Sequence, residues 1–301
     1  MNNLGLLSTY FLEPDIPEST LSYAQKLKSH CKTLLFLTND DRKLNPDAES
    51  RLASAGIELK YVPNQGLDFG MWSRHIDQWT LSDYSGIVLA NDSCIALRAF
   101  DQTFQSASAE AVDIVGMTDS NEIDYHLQSY FLYAASPAGS EFMHGFIKRM
   151  TPELMDPKLS RESLIQRCEV GLTQAAITEG LTTKALWGNS RQRPTKENPS
   201  LVWAPIYLAA GMPVVKKKYL NCHYSSTIKV QVYNRIEHRP YLAIESLKLD
   251  NLPSDMWQYL EQGRRRLKKM RFKIARSILL RMFQLKPSYR LGPASQHPKG
   301  V

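Results

Sequence analysis

Apolar runs alternate with helical patterns over the first third of the chain. Four apolar runs have the length of β-strands and end in turn residues, at 4–11, 33–40, 57–64 and 86–92. Three segments between them carry apolar residues at helical spacing, at 17–31, 45–56 and 69–81. This alternation predicts an α/β fold with a mostly parallel central sheet flanked by helices.

The middle of the chain continues the pattern less regularly. Apolar runs at 113–120 and 127–134 are followed by helical patterns at 140–150 and at 160–180. Residues 187–205 are polar and contain prolines, which predicts a surface loop. Residues 208–220 are again apolar enough to form compact structure. We expect one domain over residues 1–250 and an extension over residues 251–301.

Charge and cysteine content add two expectations. The net charge of +7 is concentrated between Trp257 and Lys286, where ten Lys or Arg accompany one acid, so the rest of the chain is close to neutral. The four cysteines are widely spaced without a C-x-x-C pair, which indicates reduced thiols in a cytoplasmic protein. No apolar run is long enough to span a bilayer, and the N-terminus does not resemble a signal peptide.

Carboxylates follow three of the predicted strands, in "LTNDD" (37–41), "NQGLDFG" (64–70) and "LANDSC" (89–94). In an open α/β sheet, ligands bind outside the carboxyl ends of the strands. The third stretch is the strongest candidate, because a buried strand delivers Asn91, Asp92 and Ser93 to that edge. Asp92 would hold Mg²⁺ or Mn²⁺ against a diphosphate. The alternative is that these residues cap the next helix. For "LTNDD" the pattern favours a simple turn.

A second polar cluster lies within residues 118–134, just before an apolar run. Its acids Glu122 and Asp124 are candidate general bases for an acceptor hydroxyl, although loop acids of this kind are often only solvated. Glu169 lies in an otherwise apolar helical pattern, where it is either a structural carboxylate or a substrate contact. P-loop, dinucleotide-binding, zinc-binding and hydrolase-elbow motifs are absent from the sequence.

Six stretches in this order resemble the rhamnan synthesis protein F family of bacterial polysaccharide glycosyltransferases: "NQGLDFGMW", "GIVLANDSC", "VGMTDS", "HLQSYFLY", "CEVGLTQ" and "GMPVVKKKYL". The resemblance covers residues 5 to 225. It implies a glycosyltransferase A-type fold and a nucleotide-sugar donor, with dTDP-rhamnose as the expected donor. The expected acceptor is a lipid-linked or growing surface polysaccharide of the O-antigen or rhamnan type.

The resemblance also implies roles for individual residues. Asp92 would face the metal or the diphosphate, with Mg²⁺ or Mn²⁺ as the cation. His223 is a candidate metal ligand or diphosphate contact, and the alternative is an ordinary loop histidine. The donor-binding set would be Tyr10, Asp40, Asn64, Gly66, Asp68, Gly70, Asn91 and Ser93. The donor–acceptor junction would comprise His126, Gln128, Ser129 and Glu169. Two departures stand out: family members often carry Arg where this chain has Leu67, and a full D-x-D motif is missing.

The basic segment carries an apolar stripe at spacings of three and four, formed by Leu267, Met270, Ile274, Ile278, Met282 and Leu285. This pattern predicts an amphipathic helix that lies on an anionic membrane surface. A helix packed on the body with a solvated basic face is the alternative. Nucleic acid is not the expected partner, because the apolar stripe suits lipid better.

The sequence therefore predicts a glycosyltransferase, inverting and peripheral on the inner face of the cytoplasmic membrane. The rival hypothesis is a non-catalytic scaffold or binding protein of a polysaccharide assembly complex. Leu67 and the missing D-x-D favour that rival.

Overall fold

The computed structural model describes residues 2–76, 79–188, 198–221, 252–263 and 265–266. Its strands are β1 (Asn3–Ser8), β2 (Cys31–Asn39), β3 (Glu58–Val62), β4 (Gly86–Asn91), β5 (Cys94–Ala96), β6 (Ile114–Gly116), β7 (Asp119–Ser120), β8 (His126–Leu127), β9 (Phe131–Ala134), β10 (Thr183–Ala185) and β11 (Val214–Lys216). Its α-helices are α1 (Glu18–Lys28), α2 (Pro46–Ser54), α3 (Leu67–Ser73), α4 (Asp101–Ala109), α5 (Pro137–Leu154), α6 (Arg161–Leu164), α7 (Gly171–Thr178), α8 (Pro199–Val202), α9 (Ala204–Ala209) and α10 (Lys217–Leu220).

Seven strands form the central sheet in the order β10-β6-β9-β4-β1-β2-β3. Strands β1 to β4 are mutually parallel, and β10 is parallel to β6. Strand β9 runs antiparallel between β4 and β6. The predicted α/β fold with a mostly parallel sheet is confirmed, with β9 as its antiparallel member.

Both faces of the sheet are covered, as parallel sheets require. Alternate residues of β1 show this: Leu7 belongs to one apolar cluster and Leu6 to the other. The first cluster packs α1, α2 and α4 against the sheet, and the second packs α3, α5 and α7. Burial on both faces explains why the strands read as continuous apolar runs. None of the described helices is long and apolar enough to cross a membrane.

Two predicted helices differ from the observed ones. Within the described residues of the pattern at 69–81, the only α-helix is the short α3, and a 3₁₀ turn follows at Leu81–Asp83. The pattern at 160–180 is interrupted between α6 and α7 by a π-helical turn, Ile165–Val170. A π turn inserts one extra residue into a helix and changes which side chains face the core. Periodicity alone could not reveal that insertion.

Residues 252–263 pack on the sheet domain. Met256 and Leu260 are buried in the first apolar cluster. The carboxylate of Asp255 accepts the backbone N–H of Ser19 at 2.9 Å and its hydroxyl at 2.6 Å, which satisfies an N-terminal donor of α1. The predicted boundary at residue 250 stays a prediction. The amphipathic stripe from Leu267 onward lies outside the described residues.

Candidate functional site

Asp68, at the start of α3, joins the carboxyl ends of two strands. Ser8 Oγ, at the end of β1, donates to Asp68 Oδ1 at 2.9 Å, and Asn91 Nδ2, at the end of β4, donates to Oδ2 at 2.6 Å. Because β1 and β4 are parallel neighbours, their last residues meet at the same edge of the sheet. Asp68 and Asn91, both predicted donor-binding residues, are therefore brought together.

Burial raises the pKa of the Asp68 carboxyl to about 6. The carboxylates of Asp92 and Glu169 act in the same direction, whereas the hydrogen bonds from Ser8 and Asn91 oppose the shift. Loss of hydration is the largest of these influences, although the side chain is not fully enclosed. Asp68 therefore changes its charge close to neutral pH.

This shift predicts a pH dependence of stability. The pKa is higher in the folded state than in the unfolded state, so the stabilisation is fully present below the unfolded pKa and is lost as the pH rises through about 6. Between pH 5 and 8 we expect the wild type to lose about 1 kcal/mol more free energy of unfolding than Asp68→Asn. Urea unfolding at both pH values measures this. The exposed Asp83→Asn serves as control and should follow the wild type; an identical pH dependence in Asp68→Asn would refute the assignment.

The turn before Asp68 uses left-handed backbone at two consecutive residues. Gly66 has φ 75°, and Leu67 has φ 54°, a conformation that a leucine rarely adopts. The Leu67 side chain borders the same cavity as Asp68. Strained backbone of this kind persists only where surrounding structure holds it, and it is frequent at ligand sites.

The "NDS" stretch forms a turn rather than a helix cap. Asn91 Oδ1 accepts the backbone N–H of Ser93 at 3.1 Å and its hydroxyl at 2.5 Å. The next element is the short strand β5, so the alternative of a cap on the following helix is wrong. Asp92 Oδ2 lies 3.5 Å from the Lys217 ammonium, and this pair is mostly buried, with 27% and 15% of the side-chain areas exposed.

Glu169 reaches the site from the π-helical turn. Its Oε1 accepts the backbone N–H of Ser129 at 2.9 Å and lies 3.8 Å from His126 Nε2. His126 Nδ1 lies 2.8 Å from the carbonyl oxygen of Asp124, which can only accept, so Nδ1 carries the proton. Three predicted junction residues therefore meet, and Glu169 is held in a fixed orientation.

A cavity of about 250 Å³ lies between Asp68, Asn91, Ser129 and Glu169, whereas Asp92 and His126 are not part of its lining. Its lining includes the carboxylates Asp68 and Glu169 and three cationic side chains, Arg161, Lys216 and Lys218. Lys216 Nζ lies over the ring of Tyr130, 4.6 Å from its centroid. Burial lowers the pKa of Lys216, and the nearby Cys94, Glu169 and Glu122 partly offset that shift. The cavity therefore combines acids and bases at the carboxyl edge of the sheet.

Sequence reasoning missed the three cations of this lining. Lys216 and Lys218 stand in "PVVKKKYL", which was interpreted as compact structure and as part of the resemblance but not as a site. Arg161 begins a helix, and its spacing gave no sign that it lines a cavity. An uninterrupted Lys run after an apolar strand was the available signal. Whether these lysines line a cavity depends on the pairing of β11 with β5, two strands that are far apart in sequence.

Several predicted site residues lie away from this cavity's lining. Glu122 and Asp124 are exposed, and Glu122 Oε2 accepts the amide of Asn198 at 2.6 Å. Gln128 is buried, and its Oε1 accepts from the Thr118 hydroxyl at 2.9 Å. The donor-binding residues outside the lining are Tyr10, Asp40, Asn64 and Gly70. Their predicted roles stay predictions, and His223 lies outside the described residues.

The described side chains alone do not form a metal site. Among them, no group of three or more His, Cys, Asp or Glu is arranged to hold a metal ion. Asp92 faces the ammonium of Lys217, and both oxygens of Asp68 accept hydrogen bonds. No step below is derived through a metal.

The fold and site define an α/β protein with a charged cleft at the carboxyl edge of its sheet. The chain belongs to the rhamnan synthesis protein F family, whose model matches residues 34–256. The predicted family is therefore confirmed, and with it an association with polysaccharide synthesis. None of the curated proteins matches the chain by sequence.

Solved structures resemble the chain at low sequence identity. The glycosyltransferase GlyE of Streptococcus pneumoniae TIGR4 is 10% identical, with a TM-score of 0.42, over 87% of this chain and 62% of GlyE. The 4-diphosphocytidyl-2C-methyl-D-erythritol synthase of Anaerococcus prevotii DSM 20548 is 8% identical, with a TM-score of 0.39, over 69% of this chain and 98% of that enzyme. At this level the likeness concerns the fold alone.

Proposed function

We propose that the protein is a glycosyltransferase with an A-type fold that transfers rhamnose from dTDP-rhamnose to a growing surface polysaccharide. The observation that carries the proposal is the cavity in which Asp68 and Glu169 share one lining with Arg161, Lys216 and Lys218. Transfer from a nucleotide sugar needs a carboxylate for the acceptor hydroxyl and positive charge for the departing diphosphate. Membership of a polysaccharide-synthesis family supports the same reaction class.

Glu169 is the best placed general base among the described residues. Its Oε1 is occupied by the Ser129 N–H, and no hydrogen bond to Oε2 is found within the described part of the chain. In an inverting transfer, the acceptor oxygen bonds to the anomeric carbon while the bond from that carbon to the diphosphate oxygen breaks. The acceptor proton goes to Glu169, and the bonding electrons leave with the nucleoside diphosphate. Glu122 and Asp124 remain the bases predicted from sequence.

Asp68 has a different role in this proposal. Both of its oxygens are held by Ser8 and Asn91, so it is positioned rather than free to move. A fixed carboxylate at the cavity wall can accept a hydroxyl of the donor sugar, which would orient the sugar ring for attack. Because burial raises the pKa of Asp68 to about 6, the ionised carboxylate that accepts this hydroxyl predominates above that pH.

The proposal is tested by incubating the purified protein with dTDP-rhamnose, UDP-glucose and GDP-mannose and measuring release of nucleoside diphosphate. We expect turnover with dTDP-rhamnose, increased by a rhamnan acceptor. Absence of both turnover and nucleotide binding across all donors would leave the rival hypothesis, a non-catalytic scaffold. Leu67 favours the rival, because an apolar residue lines the cavity at the position where the family resemblance implies Arg.

The membrane part of the proposal concerns the basic segment. Trp257 is 48% exposed, and Arg265 and Arg266 are exposed in the described part of this segment. Because Met256 and Leu260 are core residues, a truncation should begin at Leu267. Loss of flotation with anionic liposomes after this truncation is expected for a lipid-facing helix, whereas unchanged flotation contradicts it.

A further inference from the structure

Three cations line the cavity and have no carboxylate partner in ion-pair distance among the described residues. Within the described residues, no ion pair is formed by Arg161, Lys216 or Lys218. Arg161 and Lys218 are exposed at the mouth, whereas Lys216 is half-buried over Tyr130. Unpaired positive charge in a concave site is an arrangement that attracts an anion.

The fold fixes the lysines relative to the end of β4. Strand β11 pairs antiparallel with β5, which places Lys216 opposite Cys94. The backbone N–H of Lys217 then donates to the carbonyl of Ser93 at 2.9 Å. The lysine run is therefore tied to the "NDS" turn by the backbone, so its side chains are positioned by a strand and not by a free loop.

Lys217 lies beside Asp92, the carboxylate that was predicted to bind the metal. Its ammonium lies 3.5 Å from Asp92 Oδ2 and 3.4 Å from the Thr20 hydroxyl. A divalent cation bound by Asp92 would lie next to this ammonium and be repelled by it. The carboxylate predicted to bind a metal is thus already neutralised by a side chain of the same lysine run.

We propose that Arg161, Lys216 and Lys218 bind the diphosphate of the donor directly, in place of a divalent cation. The inference rests on the proposed function and names how its donor is held. Three cations against the two carboxylates of the lining leave a surplus of positive charge for a diphosphate. Arg and Lys both suit this task, Arg as a planar fork and Lys as a point charge.

Cavity size and the state of Lys216 agree with this role. A volume of about 250 Å³ is near the lower end of ligand sites, roughly 300–1,000 Å³, and suits the diphosphate and sugar better than a whole nucleotide sugar. Burial lowers the pKa of Lys216, and a phosphate beside it would raise that pKa again. Binding should then take up protons at alkaline pH.

The experiment measures binding of inorganic pyrophosphate and of dTDP by calorimetry, in EDTA and with added Mg²⁺ or Mn²⁺. We expect both probes to bind in EDTA. Lys218→Ala, Arg161→Ala and Lys216→Met should each weaken binding about tenfold or more, as loss of a charged hydrogen-bond donor does. Lys32→Ala is the control: it removes the same charge at the amino end of β2, on the sheet edge opposite to the cavity, and this variant should bind like the wild type. Thermal melts confirm that each variant is folded.

The outcomes separate this inference from the function on which it rests. Binding of dTDP only in the presence of Mg²⁺ or Mn²⁺ overturns the inference and leaves the transferase intact. Undiminished affinity in all three variants also overturns the inference and leaves the transferase intact. If neither probe binds under any condition, the inference is wrong, and the donor site of the proposed function is wrong with it.

Discussion

Replacing Glu169 by Gln is expected to reduce turnover about 10²–10⁴-fold, the usual contribution of a general base. Donor binding should change little, because Gln has the same size and its carbonyl can still accept the Ser129 N–H now bound by Oε1. The amide cannot take up the acceptor proton, so the loss should fall on kcat. Steady-state kinetics with dTDP-rhamnose and a rhamnan acceptor measures it.

Matched variants decide between this base and the two predicted from sequence. Glu122→Gln and Asp124→Asn alter exposed carboxylates outside the cavity lining, and we expect each to retain activity within about threefold of wild type. Glu179→Gln, an exposed acid just after α7, is the neutral control. A full loss in Glu122→Gln or Asp124→Asn, with Glu169→Gln active, would assign the base to the 118–134 cluster instead.

The parallel half of the fold follows directly from the sequence. Runs such as 33–40 and 86–92 are apolar throughout because both faces of the sheet are covered, and their observed strands end within one residue of the predicted turn residues. The same reasoning places Ser8 and Asn91 together, since β1 and β4 are parallel neighbours that end at one edge, where Asp68 of α3 bonds to both. Local pattern and sheet geometry were sufficient there.

The remaining half of the site depends on features that local pattern does not carry. Glu169 faces Ser129 because a π-helical turn interrupts what reads as one continuous helix. Lys216 reaches the cavity because β11 pairs with β5, strands separated by more than a hundred residues. Strand β9 has the same apolar pattern as the parallel strands, yet it runs antiparallel to both of its neighbours, β4 and β6. Each of these results from tertiary packing that favours one alternative among several compatible with the sequence.

Gly70 shows how a residue of "NQGLDFG" can matter without touching a ligand. It lies outside the cavity lining, and a Cβ at this position would overlap the backbone carbonyl of Gln65. Backbone cannot swing aside as a flexible side chain does. The turn from Gln65 to Gly70 would have to open, and this turn includes the left-handed Gly66 and Leu67 and carries Asp68.

We therefore expect Gly70→Ala to lower the free energy of unfolding by about 3 kcal/mol, the upper range for forced overpacking. Donor binding should weaken as well, since Asp68 would leave Ser8 and Asn91. Urea unfolding and dTDP calorimetry on the same preparation measure both effects.

Gly145→Ala is the matched control: in the middle of α5 a Cβ would meet only Arg149, at an ordinary 3.5 Å. There the same substitution should stabilise the helix by up to about 1 kcal/mol. Equal stability of the two variants would show that the turn can relax around a side chain, and that Gly70 is not what holds Asp68 in place.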